Sequence, residues 1–150
     1  DFKSYRQAQA VCPVPIAAGE NHYTRFDFER CLDDGVITVW QPDISKTGGI
    51  TELMRIARLA NTAGIEIHPH TSVTALNMSA SLHVLAAIPN AGYFEADVSR
   101  FNPFRDELFE AGIEVDVHGY YAPPSGPGLG VTVDESVMAS FGAISGAGYV

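Results

Sequence analysis

The sequence predicts an α/β fold built as part of a parallel (β/α) barrel of the TIM type, and three observations lead there. Short apolar runs alternate with longer stretches of helical periodicity, the pattern of parallel strands joined by crossover helices. Each of four such runs ends on an ionisable residue: Glu20 after Pro-Ile-Ala-Ala-Gly, Asp43 after Val-Trp-Gln-Pro, His70 after Ile-Glu-Ile-His-Pro, and Glu95 after Gly-Tyr-Phe. These four lie 23, 27 and 25 positions apart, about the length of one strand, one helix and two loops, so equivalent strand ends recur at each step. Loops at the strand C-termini build the active sites of parallel barrels, so the four side chains are expected to share one cavity.

The elements follow in order. Phe2, Tyr5, Ala8 and Val11 stand three apart and predict a helix over 2–11. Val14 to Gly19 is a small apolar run bounded by proline, expected as a strand covered on both faces. Thr24 is placed to cap a helix over 25–32 that stops at Asp34-Gly35. Val36 to Gln41 is the next strand. Gly48-Gly49 leads into a helix carrying Leu53, Ile56, Leu59 and Ala60, with Gly64 as its left-handed stop. Ile65 to His68 is the third strand. Leu76, Met78, Leu82, Leu85 and Ala86 mark an apolar helix over 75–88, and Tyr93 to Ala96 is the fourth strand. Beyond it the pattern breaks: 100–105 is loop-like, 113–117 strand-like, and 122–130 rich in Pro and Gly. Residues 1–102 therefore form the partial barrel, and 103–150 a C-terminal tail with one short helix near Glu135 to Phe141.

A chain of 150 residues fits one ordinary domain, whereas a complete eight-unit barrel takes about 250 residues, so the sequence looks like the second half of something. The net charge of −9 would repel phosphate backbones and anionic membrane surfaces, which argues against nucleic acid or membrane partners. No run approaches the length of a membrane span and no leader precedes the first element, so a cytoplasmic location is expected. Cys12 and Cys31 lack any CxxC setting and are expected to be reduced.

The chemical types at the strand ends are complementary. Glu20 offers the hard carboxylate oxygen that Mg²⁺ prefers, although one ligand is not a site. Asp43 and His70 come from adjacent strands, so a hydrogen bond that fixes the imidazole tautomer is expected, giving a general acid/base dyad. Glu95 would serve as a carboxylic acid donating to the oxygen on which charge develops. Blander readings compete: a solvated loop for Glu20, a turn following Pro42 for Asp43, and an ion pair with Arg100 for Glu95. His68 lies on the same strand as His70 and rivals it, His22 is either a substrate contact or a loop residue, and His83 and His118 read as structural.

The runs Pro15-Ile-Ala-Ala-Gly-Glu20-Asn21, Gln41-Pro-Asp43-Ile-Ser-Lys46-Thr-Gly-Gly49, His68-Pro-His70 and Phe94-Glu95 resemble the C-terminal barrel half of the enolase superfamily, in its mandelate racemase/muconate lactonizing enzyme family. The stretch at 124–130 is similar to that family's closing segment. The resemblance implies that Glu20 is the third metal-ligand carboxylate for Mg²⁺, that Asp43 and His70 are the dyad, and that Glu95 hydrogen-bonds the substrate carboxylate. It makes Lys46 a polar neighbour of the dyad. The family abstracts the proton alpha to a carboxylate and holds the ene-diolate on Mg²⁺. By the same resemblance the other metal ligands, a Lys-bearing strand and an N-terminal capping domain lie upstream of Asp1. The tail is expected to pack on that capping domain, and the chain alone to be inactive without its complementary N-terminal half. Family members commonly form symmetric oligomers, so a homo-oligomer is expected. The polar loop with Asn21 and His22, together with Lys46, suits a hydroxyl-rich substrate, so dehydration of an acid sugar leads. A racemase, epimerase or cycloisomerase is the alternative, and a non-catalytic fragment is the rival of another class.

Overall fold

Two short strands are formed in parallel, β1 (Ile16–Ala18) and β2 (Ile37–Trp40), in a computed structural model that describes residues 1–71, 74–110 and 112–142. Ala17 pairs with Val39 and Ala18 with Trp40, after a register shift next to Ile16. The parallel order then continues through single bridges, Trp40 to Ile67, Asp43 to His70, and Ile67 to Ala91, so the four strand positions sit side by side in chain order. Between them run the helices α1 (Phe2–Gln9), α2 (Thr24–Asp34), the one-turn α3 (Ile44–Thr47), α4 (Gly49–Thr62) and α5 (Ala75–Ala87). The result is α/β, with helices alternating along a parallel sheet.

Burial explains the order. Phe28 and Cys31 from α2, Leu53, Ile56, Ala57 and Ala60 from α4, and Ala80 and Val84 from α5 close over Ile37, Trp40 and Ile67. The four- and three-residue spacing on α4 delivers its apolar stripe to this core. β1 departs from expectation: Val14 and Ala17 are exposed, and only Ala18 and Gly19 are buried, and among the described residues β1 has a neighbouring strand on one side only. The fourth strand position also starts earlier than expected. Ile67 N–H donates to Asn90 O and Gly92 N–H to Ile67 O, so pairing falls at 90–92 and Tyr93 is left exposed.

Thr24 is not the cap of α2. Tyr23 occupies that position without a side-chain bond, and Glu52 from α4 does the capping instead. Its buried carboxylate accepts the Arg25 backbone N–H at 2.9 Å and the Arg25 guanidinium at 2.9 and 3.1 Å, and Arg55 donates at 2.9 Å. One of the free N–H groups of a helix start is thereby satisfied by a neighbouring helix. The Arg25 backbone bond first, then Arg55, outweigh burial and hold Glu52 at about 2, well below its ordinary 4.5. A folded-state value below the unfolded one stabilises the fold above pH 4.5, and that contribution is lost as pH falls toward 2. Glu52→Gln is expected to cost about 1–3 kcal/mol at neutral pH. In urea titrations its gap from wild type should narrow between pH 4.5 and 2. A gap independent of pH would contradict the clamp.

The segment beyond the fourth strand position folds back onto α5. It holds α6 (Pro103–Asp106) where a loop was expected, an antiparallel bridge from Val115 to Tyr121, another from Phe109 to Val133, and α7 (Glu135–Ser140) near its expected place. Ser79 Oγ donates to Leu129 O at 2.5 Å and His83 meets the same carbonyl at 3.3 Å, tying the Pro/Gly-rich stretch to α5. Residues 143–150 of the expected tail lie outside the described residues. Among the described residues no helix is long and apolar enough to cross a membrane, and both cysteines are free thiols.

Candidate active site

Three small clusters line the C-terminal ends of the parallel strand positions. The first starts at Gly19, where a φ of +139° and close approach make any side chain strained: a Cβ there would come within 3.1 Å of Gln41 N and of the Phe28 ring. The chain leaves β1 through this turn and delivers Glu20. Its carboxylate accepts Gly19 N–H at 3.3 Å and the Asn21 amide at 3.1 Å, and Asn21 Oδ1 in turn accepts Lys46 Nζ at 3.0 Å. Glu20, Asn21 and Lys46 thus form one polar chain.

The second cluster is the dyad. Asp43 follows Pro42 out of β2 and caps α3, its Oδ1 accepting Ser45 N–H at 2.8 Å and Ser45 Oγ at 2.6 Å. The amide of Asn77, from α5, donates to the same oxygen at 2.8 Å. The parallel bridge between Asp43 and His70 brings the other oxygen, Oδ2, to 2.9 Å from His70 Nδ1. Burial pushes the Asp43 carboxyl up, but the hydrogen bonds from Ser45, His70 and Asn77 outweigh it and hold the group below the usual carboxylate value. Asp43 is fully buried, whereas the His70 side chain is 25% exposed, and its Nε2 has no hydrogen-bond partner among the described residues.

The third cluster holds Glu95, which is exposed and accepts the Gln41 side-chain amide at 2.8 Å. Its backbone carbonyl takes the Thr71 hydroxyl. Among the described residues no ion pair joins it to Arg100.

The other histidines are engaged elsewhere. His68 accepts Tyr93 N–H at 2.9 Å through Nδ1 and meets Glu66 at 3.3 Å through Nε2, so His70 and not its neighbour reaches Asp43. His22, expected as a substrate contact or a loop residue, lies between β1 and α2. It packs between the rings of Phe2 and Phe28 with Nδ1 3.3 Å from the Cys31 thiol. Burial lowers its pKa against the charges of Asp27 and Glu20, and burial with Asp27 and Asp34 pushes the thiol up to about 12. That is a packing arrangement, created by aromatic residues far apart in sequence. His118 stands in an exposed turn.

No three His, Cys, Asp or Glu side chains converge as a metal group among the described residues. Glu20 offers one hard oxygen, and its carboxylate already accepts two hydrogen bonds. These residues alone therefore do not make a Mg²⁺ site. A cavity of about 720 Å³ lies away from this rim, between Leu82 of α5, Ala91 and Tyr93, and the turn at His118 to Tyr121.

Sequence reasoning missed Ser45, Asn77 and Gln41. An Asp followed two positions later by Ser signals a cap. An Asn inside an apolar helix and a Gln two positions before Asp43, on the same strand face, were weaker signals.

Residues 1–137 match the family model described as "Enolase C-terminal domain-like". A D-galactonate dehydratase of Ralstonia pickettii is 36% identical over 140 residues, covering 91% of this chain and 37% of its own length. A solved structure of an enolase superfamily member from Polaromonas sp. JS666 superimposes with a TM-score of 0.91 at 56% identity, covering all of this chain and 40% of that one. The 3,6-anhydro-D-galactonate cycloisomerase of Zobellia galactanivorans does so at 0.84 and 33%, covering 94% of this chain and 39% of that one. The 150 residues thus span roughly two fifths of the relatives they match. A model match over most of the sequence, with these likenesses, places the chain in the enolase C-terminal domain-like family.

Proposed function

We propose that residues 1–102 are the later part of a (β/α) barrel and carry the acid/base half of a mandelate racemase-type active site, which in a longer polypeptide dehydrates an acid sugar. The observation that supports this most is the 2.9 Å contact between a buried Asp43 and a partly exposed His70 at neighbouring strand ends. An ionised Asp43 accepts the Nδ1–H of His70, so the neutral ring presents the Nε2 lone pair, and the imidazolium formed on proton uptake is stabilised in place. Proton removal alpha to a carboxylate leaves an ene-diolate. Departure of the β-hydroxyl as water, with a proton returned by an acid, completes the dehydration and gives a 2-oxo acid after tautomerisation. His70 serves as the acid or the base of this sequence.

Glu95, steadied by Gln41, is assigned to the substrate carboxylate, and Asn21 and Lys46 to substrate hydroxyls. When bound, Mg²⁺ would supply positive charge that acidifies the alpha C–H, with Glu20 giving one oxygen and the remaining ligands coming from outside residues 1–150. The segment from 103 onward would pack toward a capping domain. The dehydratase relative favours water loss, and the cycloisomerase neighbour keeps an isomerase as the second reading.

The test is the full-length parent enzyme with Mg²⁺ and a panel of aldonic acids in D₂O. Formation of 2-oxo acid is the expected result. Deuterium entering unchanged substrate without water loss would move the assignment to an isomerase, and neither outcome would end it. Turnover by the isolated 150-residue chain would contradict the shared site.

A further inference from the structure

Asn77 is an unexpected residue for its position. It lies in the first turn of α5, whose cap is Thr74, and it is buried in a helix made mostly of Ala, Leu, Met and Val. Asn is a poor helix former, and a buried amide is costly unless its bonds are made. At this place in a helix a polar side chain ordinarily turns back toward the capping residue's own N–H. Asn77 turns outward instead. Its amide donates to Asp43 Oδ1 at 2.8 Å and to Ser45 Oγ at 3.2 Å, and its own oxygen accepts the Ser81 hydroxyl at 3.3 Å. Since a carboxylate oxygen only accepts, the amide nitrogen must be the atom that faces Asp43.

The consequence concerns how Asp43 divides its oxygens. Among the described residues Oδ1 receives three donors, the Ser45 N–H, the Ser45 hydroxyl and the Asn77 amide, while Oδ2 has His70 alone. The two Ser45 donors belong to the same turn as Asp43 and move with it. Asn77 comes from a different helix, 34 residues on, and anchors the carboxylate to the body of the protein. We infer that Asn77 is a positioning residue for the proposed acid/base pair: it locks the Asp43 carboxylate so that Oδ2 is reserved for His70 Nδ1. This rests on the dyad reading above, but its test involves no substrate.

The experiment is ¹⁵N-histidine NMR of the full-length parent protein, with the His70 signals assigned by a His70→Gln variant. In wild type, neutral His70 should be mainly the Nδ1–H tautomer. Asn77→Leu keeps the branched outline of the side chain and removes the amide, and the Nδ1–H to Nε2–H ratio should fall roughly tenfold, as for loss of one charge-assisted hydrogen bond. His68, held by Tyr93 N–H, should not change. A folded Asn77→Leu variant with an unchanged His70 ratio would overturn the inference. So would equal changes at His68 and His70, which would mark general loosening. If Asn77→Leu does not fold, Asn77→Ser decides: a partial fall at His70 supports the lock, and none overturns it. Failure of the parent enzyme to dehydrate acid sugars would leave this result untouched.

Discussion

Asp43→Asn is expected to lower the proposed acid-sugar turnover of the full-length parent about 10³–10⁴-fold while leaving the fold intact. The amide fits the same space, and its oxygen can still accept the Ser45 and Asn77 donors that crowd Oδ1. Its NH₂ group is then turned on His70 Nδ1, which must accept rather than donate. The neutral ring carries its proton on Nε2, and the lone pair that would take a substrate proton is gone. Steady-state kinetics measures the loss, and ¹⁵N-histidine NMR of the variant should show the tautomer reversed. A decline of less than tenfold would mean that the imidazole does not depend on Asp43 for its orientation.

Trp40→Ala is expected to cost about 3–5 kcal/mol, a large share of the stability of a domain this size. Trp40 is the only tryptophan, is fully buried, packs 5.1 Å from the Phe28 ring, and donates its indole N–H to Ile37 O at 3.1 Å. It also pairs through its backbone with Ala18 on one side and Ile67 on the other, so it joins three strand positions. A thermal melt followed by circular dichroism should fall by roughly 10 °C. Trp40→Phe keeps an aromatic ring and should lose much less. A melt unchanged by the alanine would show that this core does not support the sheet.

The strand positions and their polar ends were legible because four short apolar runs each stop at a chemically distinct residue, and the parallel bridges at Trp40, Asp43 and Ile67 put them side by side. The contact of Asp43 with His70 was legible for the same reason. What stayed hidden depends on long-range packing. The expected helix over 75–88 and strand from Tyr93 leave 89–92 as a connection, yet Asn90 O already accepts Ile67 N–H, so the fourth position pairs before Tyr93. Thr24 has the chemistry of a cap, but Glu52, distant in sequence, reaches the Arg25 N–H. His22 reads as a substrate contact or a loop residue, and its packing between Phe2 and Phe28 depends on residues distant in sequence. The apolar rhythm of α5 marks Leu and Met and says nothing of the Asn between them, and the one-turn α3 is too short for any period to register.

The ring of His68 stands where residue 92 would carry its first side-chain atom: a Cβ on Gly92 would fall 2.3 Å from the imidazole. Any side chain at 92 therefore requires the His68 ring to move and give up the bond from Tyr93 N–H, so saturation mutagenesis at 92 should favour glycine for as long as 68 is histidine. Shortening 68 to alanine would open the alphabet at 92, so the two sites form one mutational unit across neighbouring strand positions. Any library that diversifies this half of the sheet has to vary them as a pair.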